Sequence, residues 1–349
     1  RIDVFRKGGT SLALADFKLS RSDLVSLPGG DVGVAAGVEW RRETFYDDRD
    51  PRLDGTITFT DSVTGEFNGS DVAGTSPSPD TDGSRDVDSA FAEVFVPLVA
   101  PEMDIPLVEE FNLQLAGRIE HFNDIGETAA VPRVAASWTT FPGLTLRGAW
   151  SRGFRAPNLV QVNDEGTTRS NTRDDFVVCQ ARINTSVPGQ QIANLGACPG
   201  AGVISIRSGS ANLVPEDSTS INLGVVFEPE FIPGLTITAD YWRIRQTGLV
   251  GTFGDDNAIA LDLLRRLNGS SNPNVVRLTA TPDDIALFAG TGLDPVGRID
   301  YVLDPYLNLD SRTSKGVDFG LFYQVPDFGL GDFRLRLNAA RLISFVQDA

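Results

Sequence analysis

The chain has 349 residues, of which 41% are hydrophobic and 22% charged, and its formal net charge is −17. Such acidity repels the phosphates of a nucleic acid, which argues against a nucleic-acid partner. Glycine occurs 35 times and methionine once, and no apolar run approaches the roughly 20 residues of a membrane-spanning helix. The composition favours strands and turns, and it leaves a closed β-barrel as the remaining route into a membrane.

Alternation of apolar and polar residues with a period of two recurs along the chain. It covers residues 31–41, 111–120, 144–151, 219–228, 235–242, 317–323 and 333–340. Successive side chains of a strand point to opposite faces, so each segment predicts a strand with one apolar and one polar face. The segments are longer than the ~5–6 residues of a soluble strand and are typical of the ~9–11 residues of a tilted membrane strand. We therefore predict an all-β fold, an antiparallel transmembrane β-barrel, with roughly 10–13 strands in this chain.

The predicted connections are of two kinds, and the kinds alternate. Short ones carry Gly turn signals, at residues 141–143, 232–234 and 327–331, whereas long ones are polar and acidic, at about 47–85, 155–216 and 251–296. Outer-membrane barrels combine short periplasmic turns with long external loops. Aromatic residues near strand ends, such as Trp40 and Trp150, suit interfacial girdles, although ordinary cross-strand packing explains any one of them as well.

Two short helices are predicted in the third long connection. Residues 256–269 place Ala260, Leu263, Leu264 and Leu267 on one helical face. Thr281 precedes Pro282 and two acidic residues, the pattern of a helix N-terminus. These helices suggest a folded external cap.

Cys179 and Cys198 lie in the second long connection. An even number of cysteines at loop spacing predicts a disulfide in an oxidising compartment. Two unrelated free thiols are the alternative.

Several motifs occur in an order that resembles the TonB-dependent outer-membrane receptors. They are residues 150–159 (WSRGFRAPNL), 213–218 (LVPEDS), 234–246 and 314–318 (SKGVD). The resemblance covers about Val32 to Leu342. It implies that residues 1–349 are a segment of a 22-stranded barrel. Neither the plug domain nor the energy-coupling box of the family can be identified in this segment, and the closing strands are expected to be missing. This chain is then expected to be about half of a barrel.

The resemblance implies TonB-energised uptake of a scarce ligand, such as a siderophore, cobalamin, haem or an oligosaccharide, at the outer membrane of a Gram-negative bacterium. Its partners would be the TonB complex, outer-membrane lipid and the ligand. A soluble all-β protein that binds or processes carbohydrate is the alternative, and a passive porin is a third one. Fixed-period repeats, which would favour a soluble propeller, are not visible.

Arg155, Asp174 and Asp175 are candidate ligand contacts, with pairing of Arg155 to a neighbouring carboxylate as an equal alternative. A second set of arginines is expected to face the lumen, because a charge facing lipid at the midplane costs about 2–4 kcal/mol. This set comprises Arg118, Arg147, Arg243, Arg334 and Arg336.

No enzyme chemistry is predicted. The single histidine, His121, excludes a multi-histidine metal site, and no catalytic triad or phosphate-binding loop is evident. We predict no cofactor and no metal. Acidic clusters such as residues 47–50 and 255–256 could hold Ca²⁺, but solvated loop tips are the simpler interpretation.

Overall fold

A computed structural model describes residues 3–65, 67–72, 74–326, 329 and 331–348. In chain order the strands are β1 (Arg6–Leu27), β2 (Gly30–Arg49), β3 (Phe59–Thr60), β4 (Phe67–Asn68), β5 (Thr81–Val99), β6 (Glu110–Phe122), β7 (Glu127–Phe141), β8 (Leu144–Arg155), β9 (Thr167–Asp174), β10 (Gly200–Arg207), β11 (Glu216–Phe227), β12 (Leu235–Thr247), β13 (Leu249–Thr252), β14 (Val275–Arg277), β15 (Ile299–Leu303), β16 (Tyr306–Leu309), β17 (Arg312–Val325) and β18 (Phe333–Gln347). The helices are α1 (Leu159–Asn163), α2 (Phe176–Asn184), α3 (Asp255–Arg266) and α4 (Pro282–Phe288), with 3₁₀ turns at Pro101–Met103 and Leu195–Ala197. None of these helices is both long and apolar enough to cross a membrane.

Ten long strands form one antiparallel sheet in the order β1-β2-β5-β6-β7-β8-β11-β12-β17-β18. Their lengths run from 12 residues in β8 to 22 in β1, enough for a tilted strand to span a bilayer. The all-β antiparallel prediction is confirmed, and the ten strands agree with the lower end of the expected count. The alternation analysis identified seven of these ten strands and missed β1, β5 and β7.

The register separates two faces of this sheet. Two neighbouring rows across β2, β5 and β6 show this: one row consists of Glu39, Ser89 and Glu120, and the next consists of Val38, Ala90 and Ile119. Directly paired residues of antiparallel strands share a face, so one face is polar and the other apolar. Helix α1 packs against β5, and Asn163 of this helix lies over Gly83 on the polar face. The polar face is therefore the one that the connections cover.

The connections differ strongly between the two ends of the sheet. At one end, the turn end, residues 28–29, 100–109, 142–143, 228–234 and 326–332 join neighbouring strands. At the other, the loop end, the connections are residues 50–80, 123–126, 156–215 and 248–311. The predicted alternation has one exception, the short connection 123–126. Gly143 (φ +91°) and Gly234 (φ +83°) adopt the left-handed conformation that favours glycine, while Asp327, Phe328 and Leu330 of the third predicted turn lie outside the described residues.

The second and third long connections fold together into what we call the loop domain, residues 156–215 and 248–311. Its four-stranded sheet has the order β14-β15-β10-β9, with β10 and β15 parallel. The third connection is thus longer than the predicted 251–296, because its β15 and β16 belong to this domain rather than to the large sheet. Two apolar clusters form the core and combine residues of both connections: Val177, Ala181, Leu263, Leu287, Phe288, Leu293 and Val296 in one, and Val203, Ala258, Ile259, Val275, Ile299 and Val302 in the other.

The two predicted helices exist, but one of them turns a different face inward. Thr281 caps α4 as expected, accepting a hydrogen bond from the Asp284 backbone N–H at 3.2 Å. The predicted apolar face of α3 is only partly correct: Leu263 is buried in the core, but Leu264 and Leu267 are each 58% exposed while Ile259 is fully buried. The cause is a buried carboxylate, Asp262, which has ion-pair partners inside the domain. Apolar periodicity cannot anticipate a charged residue in the core. The helices α1 and α2 were not predicted.

Candidate functional site

The three long connections meet above the polar face of β1 and β2 and line an open cavity of about 520 Å³. The sheet, the first connection and both parts of the loop domain contribute to its walls. These are lined by Arg6, Arg49, Leu53, Thr75, Ser76, Ser78, Val160, Asp164, Thr167, Arg169, Arg207 and Tyr306. Four of the twelve residues are arginines, which is unusual in a chain with a net charge of −17.

Two of these arginines are held side by side by one carboxylate. Arg6 donates to both oxygens of Asp47, at 2.6 and 2.8 Å. Arg49 donates to the same carboxylate at 2.8 Å, and its backbone N–H donates to Asp80 at 2.8 Å. Such charge-assisted hydrogen bonds hold both guanidinium groups in place. Two acidic residues of the cluster 47–50 are therefore already paired, Asp47 with these arginines and Asp50 with Arg52.

The other two arginines have no carboxylate partner. Nε of Arg207 is buried without a hydrogen-bond partner, and the guanidinium lies 5.8 Å from the centre of the Tyr306 ring. Arg169 is exposed, and in the part of the chain that the structure describes neither guanidinium takes part in an ion pair. A buried donor without a partner costs free energy, and the Nε–H of Arg207 is such a donor.

The carboxylates at the cavity do not cancel this charge. Asp164 accepts hydrogen bonds from the backbone N–H groups of Gly166 at 3.1 Å and Thr167 at 3.2 Å, which form a local turn. Asp47 is already shared between its two arginines. Four arginines line the cavity, against Asp164 in the lining and Asp47 and Asp80 beside it. The remaining excess of positive charge favours an anionic ligand.

Backbone hydrogen bonds hold the walls of the cavity together. Asn158 and Gln161 form a capping box at the start of α1. The Ser210 N–H donates to the Gln161 carbonyl at 3.1 Å, and the Tyr306 N–H donates to the Ser208 carbonyl at 2.9 Å. The second and third connections are thus joined next to Arg207, which sets Tyr306 beside its guanidinium.

A buried ion cluster links the two connections inside the loop domain. Arg277 donates to Asp175 at 2.7 and 2.9 Å and to Asp262 at 3.1 Å. The side chains of Arg277 and Asp262 are 6% and 0% exposed. Burial would lower the pKa of Arg277, but hydrogen bonds and charge attraction from Asp175 and Asp262 raise it above its ordinary value. The cluster joins the two connections and has a structural role.

A second ion pair joins α3 to β9. Arg173 and Asn171 donate to Asp255 at 2.9 and 3.0 Å. Burial would raise the pKa of Asp255, but the hydrogen bonds from Arg173 and Asn171 lower it below its ordinary value. Unlike its neighbour Asp256, which is 61% exposed, the Asp255 side chain is 9% exposed.

This lowered pKa makes the loop domain sensitive to acid. A carboxylate whose pKa falls on folding stabilises the fold fully above its unfolded value of about 3.9 and loses that effect as the pH falls through the folded value. We expect Asp255→Asn to weaken the pH dependence of pepsin cleavage within 255–266 between about pH 2 and pH 5. Asp256→Asn is the matched control and should leave the profile unchanged. Equal effects of both variants would contradict the assignment.

The predicted cysteines are joined in the structure. Cys179 and Cys198 form a disulfide with their Cα atoms 5.6 Å apart. Cys179 lies in α2 and is buried, so the bond attaches residues 195–198 to the core of the loop domain.

The three predicted ligand residues are not among those that line the cavity within the described chain. Arg155 pairs with Glu216, with Nε donating at 2.9 Å. Asp175 is buried against Arg277 and caps α2, and Asp174 lies opposite Gly200 at the end of β9. The four arginines that line the cavity come from distant segments of the chain. Sequence reasoning missed them because no local pattern in the sequence distinguishes them from other arginines.

Four of the five arginines predicted to face inward lie on the polar face. Arg118 contacts Glu39 at 3.1 Å and Glu120 at 2.5 Å, and Arg147 contacts Asp240 at 2.8 Å. Arg334 and Arg336 lie opposite Gln324 and Phe322.

The structure places Arg243 on the face opposite to the predicted one. It lies opposite Ile221 and Lys315 on the apolar face. Strict alternation from Tyr241 would have placed it there. Its position near the loop end of β12 allows the charge to reach polar surroundings rather than hydrocarbon.

Within the described ranges, no group of three or more His, Cys, Asp or Glu side chains could hold a metal ion. His121 lies at the end of β6, with Nδ1 2.9 Å from the Thr128 hydroxyl.

Comparisons with known proteins agree with this architecture. The family profile "TonB dependent receptor-like, beta-barrel" matches residues 5–346. The iron-regulated outer membrane virulence protein of Vibrio cholerae is 39% identical over 59 residues, which are 17% of this chain and 9% of that protein.

Solved structures share the fold at low sequence identity. The siderophore receptor PirA of Acinetobacter baumannii superimposes with a TM-score of 0.55 at 14% identity, over 97% of this chain and 37% of that one. The ferric enterobactin receptor PfeA of Pseudomonas aeruginosa, crystallised with enterobactin, gives 0.58 at 16%, over 97% and 36%. The hemophore receptor HasR of Serratia marcescens gives 0.51 at 14%, over 97% and 42%. The chain spans less than half the length of these relatives. It belongs to the TonB-dependent receptor family, of which it carries β-barrel sequence, and its location is the outer membrane of a Gram-negative bacterium.

Proposed function

We propose that the receptor containing this chain takes up an anionic iron ligand, a ferric siderophore or haem, and that the arginine-lined cavity is part of the binding site. The observation that supports this most is the excess of positive charge at that cavity, where Arg207 has an unpartnered donor. The relatives are named as receptors for siderophores, for ferric enterobactin and for a hemophore with heme. An anionic ligand would complete the hydrogen bonding of the cavity.

The same proposal orients the chain in the membrane. The long connections at the loop end would be external, and the polar face with Arg118, Arg147, Arg334 and Arg336 would line the lumen. TonB-dependent receptors interact with TonB, and we propose that this receptor obtains energy for uptake from the TonB complex of the inner membrane. Outer-membrane lipid would surround the apolar face. Arg155 remains a proposed ligand contact in the second place, since its side chain is 57% exposed beside Glu216.

Arg207→Gln in the complete receptor is expected to weaken binding of ferric enterobactin or haem by about tenfold, because one charge-assisted hydrogen bond contributes roughly 1.5–3 kcal/mol. Binding would be measured by titration of each probe into the purified receptor, and uptake with labelled iron in cells. Arg298→Gln is the control, because it removes the same charge from an exposed arginine of the loop domain that does not line the cavity. Unchanged binding in Arg207→Gln, or failure of both probes to bind the unaltered receptor, would contradict the proposal.

A further inference from the structure

Five cationic side chains lie together on the apolar face at the loop end of neighbouring strands. We call them the outward basic patch: Arg152 of β8, Arg243 and Arg245 of β12, Lys315 of β17 and Arg341 of β18. The register places Arg152 and Arg245 on either side of Thr219, and Arg243 directly opposite Lys315. Adjacent strands are about 4.8 Å apart, so the five cations share an area of roughly 20 Å across.

Carboxylates do not neutralise this patch. Arg152 pairs with Asp217 at 3.0 Å. None of the other four cations forms an ion pair with any residue that the structure describes. Arg243, Arg245 and Arg341 are exposed. Cations that lie this close together repel one another, so the patch favours an anionic partner.

The patch lies at the upper border of the apolar surface. Trp150 and Ile221 lie in the same row as Arg243 and Lys315, and Tyr241 and Val317 lie in the same row as Arg341. The next row toward the turn end is entirely apolar and consists of Leu146, Val225, Ala239, Phe319 and Ala339. Arg243 follows Leu235, where β12 begins, by about 27 Å of strand at ~3.4 Å per residue. A strand tilt of about 40° brings it roughly 20 Å from the turn end, close to the top of a ~25 Å apolar band.

The other half of the sheet has the opposite charge at this level. On the same face near the loop end, β5 carries Asp82, Asp86 and Asp88. Arg42 of β2 is paired with Asp86 at 3.4 Å. Lys7 of β1 lies on the same face opposite Asp48 of β2, so this half has a net negative charge at the level where the outward basic patch is positive. The positive charge is therefore local to the outward basic patch.

We propose that the outward basic patch binds the phosphorylated headgroup of the glycolipid in the outer leaflet. Guanidinium groups and an ammonium bind phosphate oxygens, and headgroup phosphates lie where the apolar band ends. The acyl chains of the same lipid would cover Leu223 and Phe319 below the patch, which are 56% and 52% exposed. This combination of charge and apolar surface selects a lipid over free phosphate. The inference uses only the external orientation of the loop end from the proposed function, not the identity of its ligand.

The test compares two double variants of the complete receptor in detergent micelles. Arg243→Gln/Arg245→Gln removes two charges from the patch, whereas Arg334→Gln/Arg336→Gln removes two arginines at the same spacing from the polar face. The probe is diphosphoryl lipid A, with dephosphorylated lipid A and inorganic phosphate as separate titrations. Each cation near a charged lipid surface contributes about 1 kcal/mol, so the first variant should bind lipid A about 30-fold more weakly and the second should bind normally.

Arg243→Lys/Arg245→Lys keeps the charge and should retain most of the binding. Equal loss in the glutamine and lysine variants would show that the arginines act through folding and would overturn the proposal. Equal binding of lipid A and its dephosphorylated form, or equal loss in the control double variant, would also overturn it. Binding of inorganic phosphate as strong as that of lipid A would overturn the choice of a lipid.

Discussion

Replacing Arg277 with glutamine is expected to destabilise the loop domain by about 3–5 kcal/mol, the largest effect that we expect of any single substitution. The guanidinium lies between Asp175 and Asp262, at 2.7 and 3.1 Å. Its removal would leave two carboxylates in the core without their main cation, and an unpaired buried charge costs much more than the pair contributes. Asp262, which is 0% exposed, cannot be rehydrated without opening the domain.

Amide hydrogen exchange in α2 and α3 would measure this effect in the complete receptor. Exchange should accelerate by at least a hundredfold, since each 1.4 kcal/mol of lost opening free energy corresponds to about tenfold. Arg266→Gln is the matched control, because Arg266 also pairs with Asp262, at 3.0 Å, but is 21% exposed. That variant should change exchange by less than about tenfold. Similar exchange rates in both variants would contradict the central role of Arg277.

Removal of the disulfide is expected to have the second largest effect on the stability of the loop domain. The bond between Cys179 and Cys198 closes a loop with a sequence separation of 19. A loop of this size predicts about 3 kcal/mol of stabilisation through the reduced entropy of the open state. Cys179→Ser/Cys198→Ser should therefore destabilise the loop domain by that amount, and the buried Cys179 site would in addition receive a hydroxyl.

The measurement is again amide exchange of α2, with and without a reducing agent. The unaltered receptor should respond to reduction, and the double variant should not. Ala197→Ser, which places a hydroxyl next to Cys198 and keeps the bond, is the control and should exchange like the unaltered receptor. Unchanged exchange in the double variant would mean that the apolar core holds the segment without the bond. In that case the disulfide would contribute nothing to the presentation of the second connection.

The stability of the loop domain bears directly on the proposed binding site. Arg169, Arg207 and Tyr306 all belong to this domain, whereas Arg6 and Arg49 belong to the large sheet. Local unfolding of the domain would separate the two halves of the cavity. We therefore expect substitutions at Arg277 or the cysteines to weaken ligand binding as well, without any contact to the ligand.

Local features of the chain could be predicted well. Alternation in 235–242 and 317–323, the turns at Gly143 and Gly234, and the capped start of α4 each depend on a few neighbouring residues. The motif order led to the correct family for the same reason, since it is a property of the sequence itself. The same alternation also predicts the outward position of Arg243. Its assignment to the lumen rests instead on the cost of a charged side chain in lipid.

The tertiary structure alone decided which charged residues are buried and which form the cavity. Asp262 is buried because Arg277 and Arg266 donate hydrogen bonds to it. Arg277 in turn binds Asp175, which lies 102 residues away in the chain. The cavity likewise combines Arg6 of the first strand with Tyr306 of the third connection. Alternation reports only on which side of a strand a residue lies. The partner that makes a buried charge stable, or leaves an arginine free for a ligand, is determined by contacts between distant segments.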